Sequence, residues 1–142
     1  MPLREFNSVA VGDRLPSRVV ALTRQDLINY AGVSGDLNPI HWDDEIAHRM
    51  GLDGAIAHGM LTIGIAGGYI TAWVGDPGAV TEYNVRLTAM VPVPNDGRGT
   101  EITFNGRIKN TEPQSKSVTI ALSATVGGKK IFGRAIAVAR LA

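Results

Sequence analysis

The hydrophobic pattern of this chain changes rhythm near residue 76. Before that point apolar positions recur mainly at helical spacing; beyond it they alternate. Val9 to Leu22 reads as a turn at Gly12-Asp13 followed by a strand through the β-branched and apolar Val19 to Leu22. Thr23 then has the character of a helix N-cap. Asp26 places an acid in the first turn, and Leu27, Ile28 and Ala31 follow at helical spacing. That helix is predicted to end near Gly32. Ser34 to Pro39 is a dense turn, and Pro39 biases Asn38 away from helical angles. Asp43 or Asp44 caps a short helix through Ile46, Ala47 and Met50, closed by Gly51.

From Ala55 to Val74 no residue carries a formal charge. A membrane span needs about 20 apolar residues. Here His58, Thr62, Thr71 and several glycines interrupt the run, and the reading is a helix from Gly54 to Gly75, starting near His58 and buried on all sides within a domain, with no membrane span. After Asp76-Pro77-Gly78 four stretches read as strands: Val80 to Met90, Glu101 to Lys109, Ser117 to Val126 and Lys130 to Leu141. Turn residues separate them, and Gly127-Gly128 is a two-residue hairpin signal. Segregated helices and strands indicate an α+β fold. An all-apolar helix has to be covered, and an antiparallel sheet curled around it does so.

Composition narrows the function. A chain of 142 residues fits one domain spanning 1–142. A hydrophobic fraction of 44% with 19% charged residues excludes a disordered adaptor. The net charge of +1 leaves no basic excess to track phosphates, so nucleic acid is excluded as the main partner. The chain has no cysteine, which excludes disulfides, zinc–thiolate sites and cysteine nucleophiles and fits a cytoplasmic protein. Met1 to Phe6 lacks the apolar run of a secretory leader.

The densest polar cluster sits in an otherwise apolar region: Asp36, Asn38 and His41, then His58-Gly59 at the predicted start of the long helix. A rigid, proline-containing turn can hold Asp36 and His41 at a fixed separation, as acid–base catalysis requires. A helix start offers unpaired N–H groups and partial positive charge, and Gly59 lets a ligand approach the backbone. Each feature alone has a plainer reading: Asp36 as a turn residue, Asn38 as ordinary turn chemistry, His41 as a hydrogen-bonded structural histidine, Gly59 as a packing glycine. The spacing of His41, His48 and His58 matches no zinc signature, so no metal is expected. His48, beside Arg49, is expected at the surface.

Taken together, Tyr30-Ala31-Gly32-Val33-Ser34-Gly35-Asp36-Leu37-Asn38-Pro39-Ile40-His41, with Ala47 six positions later, resembles the signature of the MaoC-like (R)-specific enoyl hydratases and dehydratases. Ile56-Ala57-His58-Gly59-Met60 resembles the start of that family's central helix. The resemblance covers nearly the whole chain. It implies a hotdog fold, catalysis by Asp36 and His41, oxyanion or substrate contacts from Gly59 and Asn38, and no cofactor. It also implies an acyl thioester substrate carried on acyl carrier protein or coenzyme A. The stretches from Trp73 to Arg86 and Lys129 to Arg134 further resemble the catalytic subunits of the (3R)-hydroxyacyl-ACP dehydratases of mycolic-acid elongation. That closer likeness implies a second hotdog subunit, as a heterodimer or alternatively a homodimer.

The implied reaction interconverts a (3R)-3-hydroxyacyl thioester and the trans-2-enoyl thioester. It needs a base at the α-carbon, an acid at the departing hydroxyl and a donor for the thioester oxygen. A neutral imidazole suits the first role. Asp36 would have to be protonated for the second, which calls for an apolar surround. On sequence alone either residue can carry either proton. The rivals are an acyl thioesterase on the same fold, a non-catalytic acyl-binding subunit and a small metalloprotein.

Overall fold

The computed structural model of the chain describes residues 2–142. Strand β1 (Arg14–Leu22) leads into helix α1 (Arg24–Ser34), a 3-10 turn (Pro39–His41), helix α2 (Asp44–Arg49) and the central helix α3 (Gly59–Val74). Strands β2 (Val80–Leu87), β3 (Thr100–Glu112), β4 (Ser117–Val126), the two-residue β5 (Lys129–Lys130) and β6 (Phe132–Arg140) follow. The main sheet is antiparallel in the order β1-β3-β4-β6-β2, with β5 paired to β4. This is the α+β hotdog arrangement, a helix against a curved sheet.

Local chemistry explains most boundaries. Thr23 and Asp26 form a reciprocal capping box at the start of α1. The helix runs past Gly32 to Ser34, because the residue that ends it is Gly35, in the left-handed region at φ 76°. Asp43 caps α2 by accepting from the Glu45 and Ile46 amides. Asp44 has other work, described below. Strand β1 begins earlier than Val19 and passes through Pro16. An edge strand tolerates that proline, and the pairing with β3 shifts register between Leu15 and Arg18. Gly127 and Gly128 both have positive φ and link Val126 to its partner Lys129. Strand β2 stops at Leu87 and not Met90, and the chain there turns toward the start of α3.

The core joins the inner faces of the sheet to one side of α3. Phe104 lies within 6.3 Å of both Tyr69 and Phe132, centroid to centroid. Tyr83 of β2 rests on Gly67, where an added Cβ would come 3.5 Å from the ring, and its hydroxyl donates to the Ile63 carbonyl at 2.6 Å. Burial pushes that phenol up to about 12, so it stays a donor. The helix is not covered on all sides, as the apolar run had suggested. Thr62, Ala66, Tyr69, Ile70 and Val74 are buried, whereas Met60, Gly64, Gly68 and Ala72 form an exposed stripe at i, i+4 spacing. The sheet of one chain wraps only part of the cylinder. No helix among the described residues is long and apolar enough to cross a membrane.

Phe104 is 1% exposed. Phe104→Ala is expected to lower unfolding stability by about 3–5 kcal/mol through cavity formation, read as a lower urea midpoint with an unchanged m-value.

Candidate active site

The turn from Ser34 to His41 is built from short side-chain-to-backbone bonds. The Asn38 amide donates to Asp36 Oδ1 at 3.3 Å, and Asn38 Oδ1 accepts from the Ile40 amide at 3.2 Å. That second bond caps the 3-10 turn and delivers His41 into the interior, where it is buried. The His41 Nδ1 lies 2.7 Å from the Ile56 carbonyl oxygen. A carbonyl only accepts, so Nδ1 carries a proton and Nε2 is the nitrogen that faces Asp36. Nε2 is 3.7 Å from Asp36 Oδ2. The Asp36 carboxylate is 52% exposed, so the apolar surround expected for it is not supplied by this chain.

His58 caps the start of α3 and lies against His41, with ring centroids 3.8 Å apart and planes inclined by 23°. Its Nε2 is 3.2 Å from the backbone oxygen of Asp36. Burial above all, with charge on His41 adding to it, holds its imidazole below the ordinary value of 6.5. The first intrahelical bond runs from the Thr62 amide to the His58 carbonyl, so the Gly59 amide lies among the free donors of the helix start. An alanine Cβ at Gly59 would come 2.5 Å from Leu87 Cδ1. A cavity of about 330 Å³ opens beside these groups, lined by His41, Ile56, Gly59, Thr62, Leu87 and Met90 among others.

The structure thus brings Asp36, His41 and Gly59 together. Asn38 shapes the turn, and neither it nor Asp36 is among the residues that line the cavity, which Asp36 reaches only through its approach to His41 Nε2. Asp36, His41 and His58 offer ligand atoms within 4.8 Å of one another. They do not suit a single ion. A metal lies in the plane of each ligating imidazole at about 2.1 Å, and two nearly parallel rings do not share such a point. His48 stays outside the cluster and is exposed, with Nε2 at 3.1 Å from the Asp53 carbonyl.

One supporting residue escaped the sequence pattern. Arg24, in the first turn of α1, is 6% exposed. Its guanidinium donates to the Trp42 carbonyl at 3.0 Å, to the Val93 carbonyl at 2.8 Å and to Asp44 Oδ1 at 2.8 Å. Asp44 Oδ1 also accepts the Ala55 amide at 2.9 Å. One ion pair therefore ties α1 to the segments flanking His41 and Ile56. The only hint in the sequence was an arginine at the first helical position, ordinary for a surface residue.

These features define a hotdog domain with Asp36 and His41 side by side at the start of its central helix. The model of the MaoC like domain matches residues 7–127. The chain belongs to the MaoC-like domain family, the hydratases and dehydratases. It is 28% identical over 131 residues to the (R)-specific enoyl-CoA hydratase of Rhodospirillum rubrum, covering 92% of this chain and 87% of that one. A mitochondrial 3-hydroxyacyl-[acyl-carrier-protein] dehydratase of Arabidopsis thaliana is 40% identical over 84 residues, 55% of this chain and 49% of its own. Among solved structures, a MaoC-like dehydratase superposes with a TM-score of 0.95 at 50% identity, covering 99% of this chain and 43% of that one. The present chain therefore spans less than half of that neighbour. The fold is also that of the (R)-hydratase from A. caviae, with a TM-score of 0.83 at 21% identity over 95% of this chain and 98% of that one.

Arg24 and Asp44 give two expected outcomes. Arg24→Met leaves the Trp42 and Val93 carbonyls without their donor and Asp44 with only the Ala55 amide, and should lower stability by about 3 kcal/mol in urea unfolding. Asp44 is held below its ordinary 3.8 by the Arg24 hydrogen bonds first and the Ala55 amide second. A carboxylate whose folded value is depressed stabilises above its unfolded value, and that contribution is lost as pH falls through the folded one. Asp44→Asn should therefore be less stable than the unmodified protein at pH 7. The gap in urea midpoints should narrow as pH falls below about 4.

Proposed function

We propose that this protein is a hydro-lyase that interconverts (3R)-3-hydroxyacyl and trans-2-enoyl thioesters. The observation that carries the reading is Nε2 of His41, 3.7 Å from Asp36 Oδ2, with His41 lining one cavity with Gly59 at the start of α3. In the dehydration direction His41 Nε2 takes the α-proton. The electron pair forms the Cα–Cβ double bond, the Cβ–O bond breaks, and Asp36 delivers a proton so that the hydroxyl leaves as water. In hydration each step reverses. Negative charge gathers on the thioester oxygen, and the Gly59 amide is the donor placed to meet it. One preorganised donor of this kind contributes about 3–4 kcal/mol. Asn38 holds the turn that carries both reacting residues. No step requires a metal or redox group.

The names of the relatives support an acyl thioester on coenzyme A or acyl carrier protein. Within this reading the carrier-protein thioesters of fatty-acid elongation, including mycolic-acid elongation, are the substrate class, and the cytoplasm is the site of action. A second hotdog subunit completes the site. Gly64 and Gly68 have no neighbour within 4 Å of an added Cβ, although an interior helical glycine destabilises by about 1 kcal/mol. Such glycines make sense against a closely packed partner. The adjacent strand β2 is a sheet edge with unpaired backbone groups. A partner there would also shield the exposed Asp36. A related subunit lacking the Asp/His pair would form a heterodimer; a second copy would form a homodimer.

The test is loss of enone absorbance from trans-2-enoyl thioesters of short and long chain, on coenzyme A and on acyl carrier protein. Hydration without free-thiol release is expected. Both His41→Ala and Asp36→Asn should lower kcat by about 100-fold or more. Thiol release would instead point to a thioesterase, and unchanged turnover in His41→Ala would leave a binding subunit. Gly59→Ala should lower kcat through the Leu87 clash while the fold persists by circular dichroism. Sedimentation should give a dimer, either alone or only after mixing with a homologous subunit.

A further inference from the structure

His58 is the buried titratable group that the acid–base steps leave unused. It is 1% exposed, and its Nδ1 is a buried polar atom without a hydrogen-bond partner. The opposite nitrogen, Nε2, faces the Asp36 carbonyl at 3.2 Å. Since that oxygen only accepts, Nε2 carries the proton and Nδ1 is a bare lone pair. The face of the ring lies on His41 at 3.8 Å, and Tyr30 of α1 meets it edge-on at 4.9 Å. Its own carbonyl accepts the first helical bond of α3, from the Thr62 amide at 3.2 Å.

We propose that His58 is a positioning residue whose ring holds the Asp36 backbone and the His41 imidazole in register with the Gly59 amide. This rests on the reading of Asp36 and His41 as the reacting pair. Asp36 sits on an exposed turn, and bonds within that turn do not fix it relative to α3. The Nε2–H to Asp36 bond does. His41 needs its ring plane fixed so that Nε2 points at the α-carbon while Nδ1 stays on Ile56; the stacked neighbour supplies that plane. The titratable groups against His58 are Tyr30, Asp36 and His41. A second proton on His58 would sit at Nδ1, buried, without an acceptor, and against a His41 ring that becomes cationic during each turnover. Burial already disfavours that charge. His58 therefore stays neutral while His41 cycles, and its geometry is the same in both states.

Two variants separate this from a filler role. His58→Phe keeps a ring against His41 but has no donor for Asp36. His58→Gln places an amide N–H near the position of Nε2 without a ring. With an enoyl thioester as substrate, His58→Phe should lose about 100-fold in kcat with KM within about twofold of the natural protein. His58→Gln should recover at least about tenfold of that loss. Equal losses in the two variants, or a His58→Phe enzyme within about threefold of the natural kcat, would overturn the proposal. Nitrogen NMR of the unmodified, histidine-labelled protein provides an activity-free reading. The expected tautomers are Nε2–H for His58 and Nδ1–H for His41, with the His58 ring titrating below its ordinary 6.5. An Nδ1–H tautomer of His58, or a His58 ring that titrates above its ordinary 6.5, sinks the idea even if His58→Phe does not fold. If the unmodified protein hydrates nothing, the acid–base reading fails, while the tautomers still decide whether His58 holds Asp36.

Discussion

A helix of 16 residues without one charged side chain has to be taken out of water, and the rest of this molecule is arranged around that requirement. The sheet curves because it must reach around α3. Phe104, Tyr69 and Phe132 fill the space between them. The sheet covers much of the helix but leaves a strip along Met60, Gly64, Gly68 and Ala72. It also leaves the helix start open to a cavity. Apolar burial thus sets the architecture, and at the start of the buried helix free amides, a partial positive charge and an apolar cavity coincide.

The polar chemistry is anchored to that helix end by few bonds. His41 is tied to Ile56 through Nδ1, and the Asp36 backbone is tied to His58 through Nε2. Both links cross from the turn to the segment leading into α3. Further out, Arg24 clasps the carbonyls of Trp42 and Val93 together with Asp44. A cation with several acceptors is well suited to such a junction, because it joins α1 to the Trp42–Asp44 stretch and to Val93 through one buried side chain. The Asp36–His41 pair is therefore rigid on the His41 side and open to solvent on the Asp36 side. A partner surface across the exposed strip would change the second condition more than the first.

Much of this was legible along the chain. The N-cap at Thr23, the hairpin at Gly127-Gly128, the α+β order and the Asp36–His41 turn all depend on residues within a few positions of one another. Short-range hydrogen bonding and backbone preference are written in local sequence. The errors fell where local signals compete. Gly32 looked like the end of α1, yet it sits in the helix and Gly35 takes the left-handed cap. The uncharged run from Ala55 to Val74 looked like a fully enclosed helix, yet one stripe of it faces outward.

The sequence by itself marked Asp36 and His41 as the candidates for acid–base work, on a turn ending in Pro39-Ile40-His41 ahead of a helix that begins at Gly59. Only the tertiary structure decided that the ring of His58 would lie on His41, that Arg24 would be buried against Trp42, Asp44 and Val93, and that Asn38 would build the turn without lining the cavity. Those contacts join residues separated by 17 positions or more, apart from the local Asn38. They depend on how the sheet places its loops around the helix. Hydrophobic periodicity reports that a face is buried, but not what meets it.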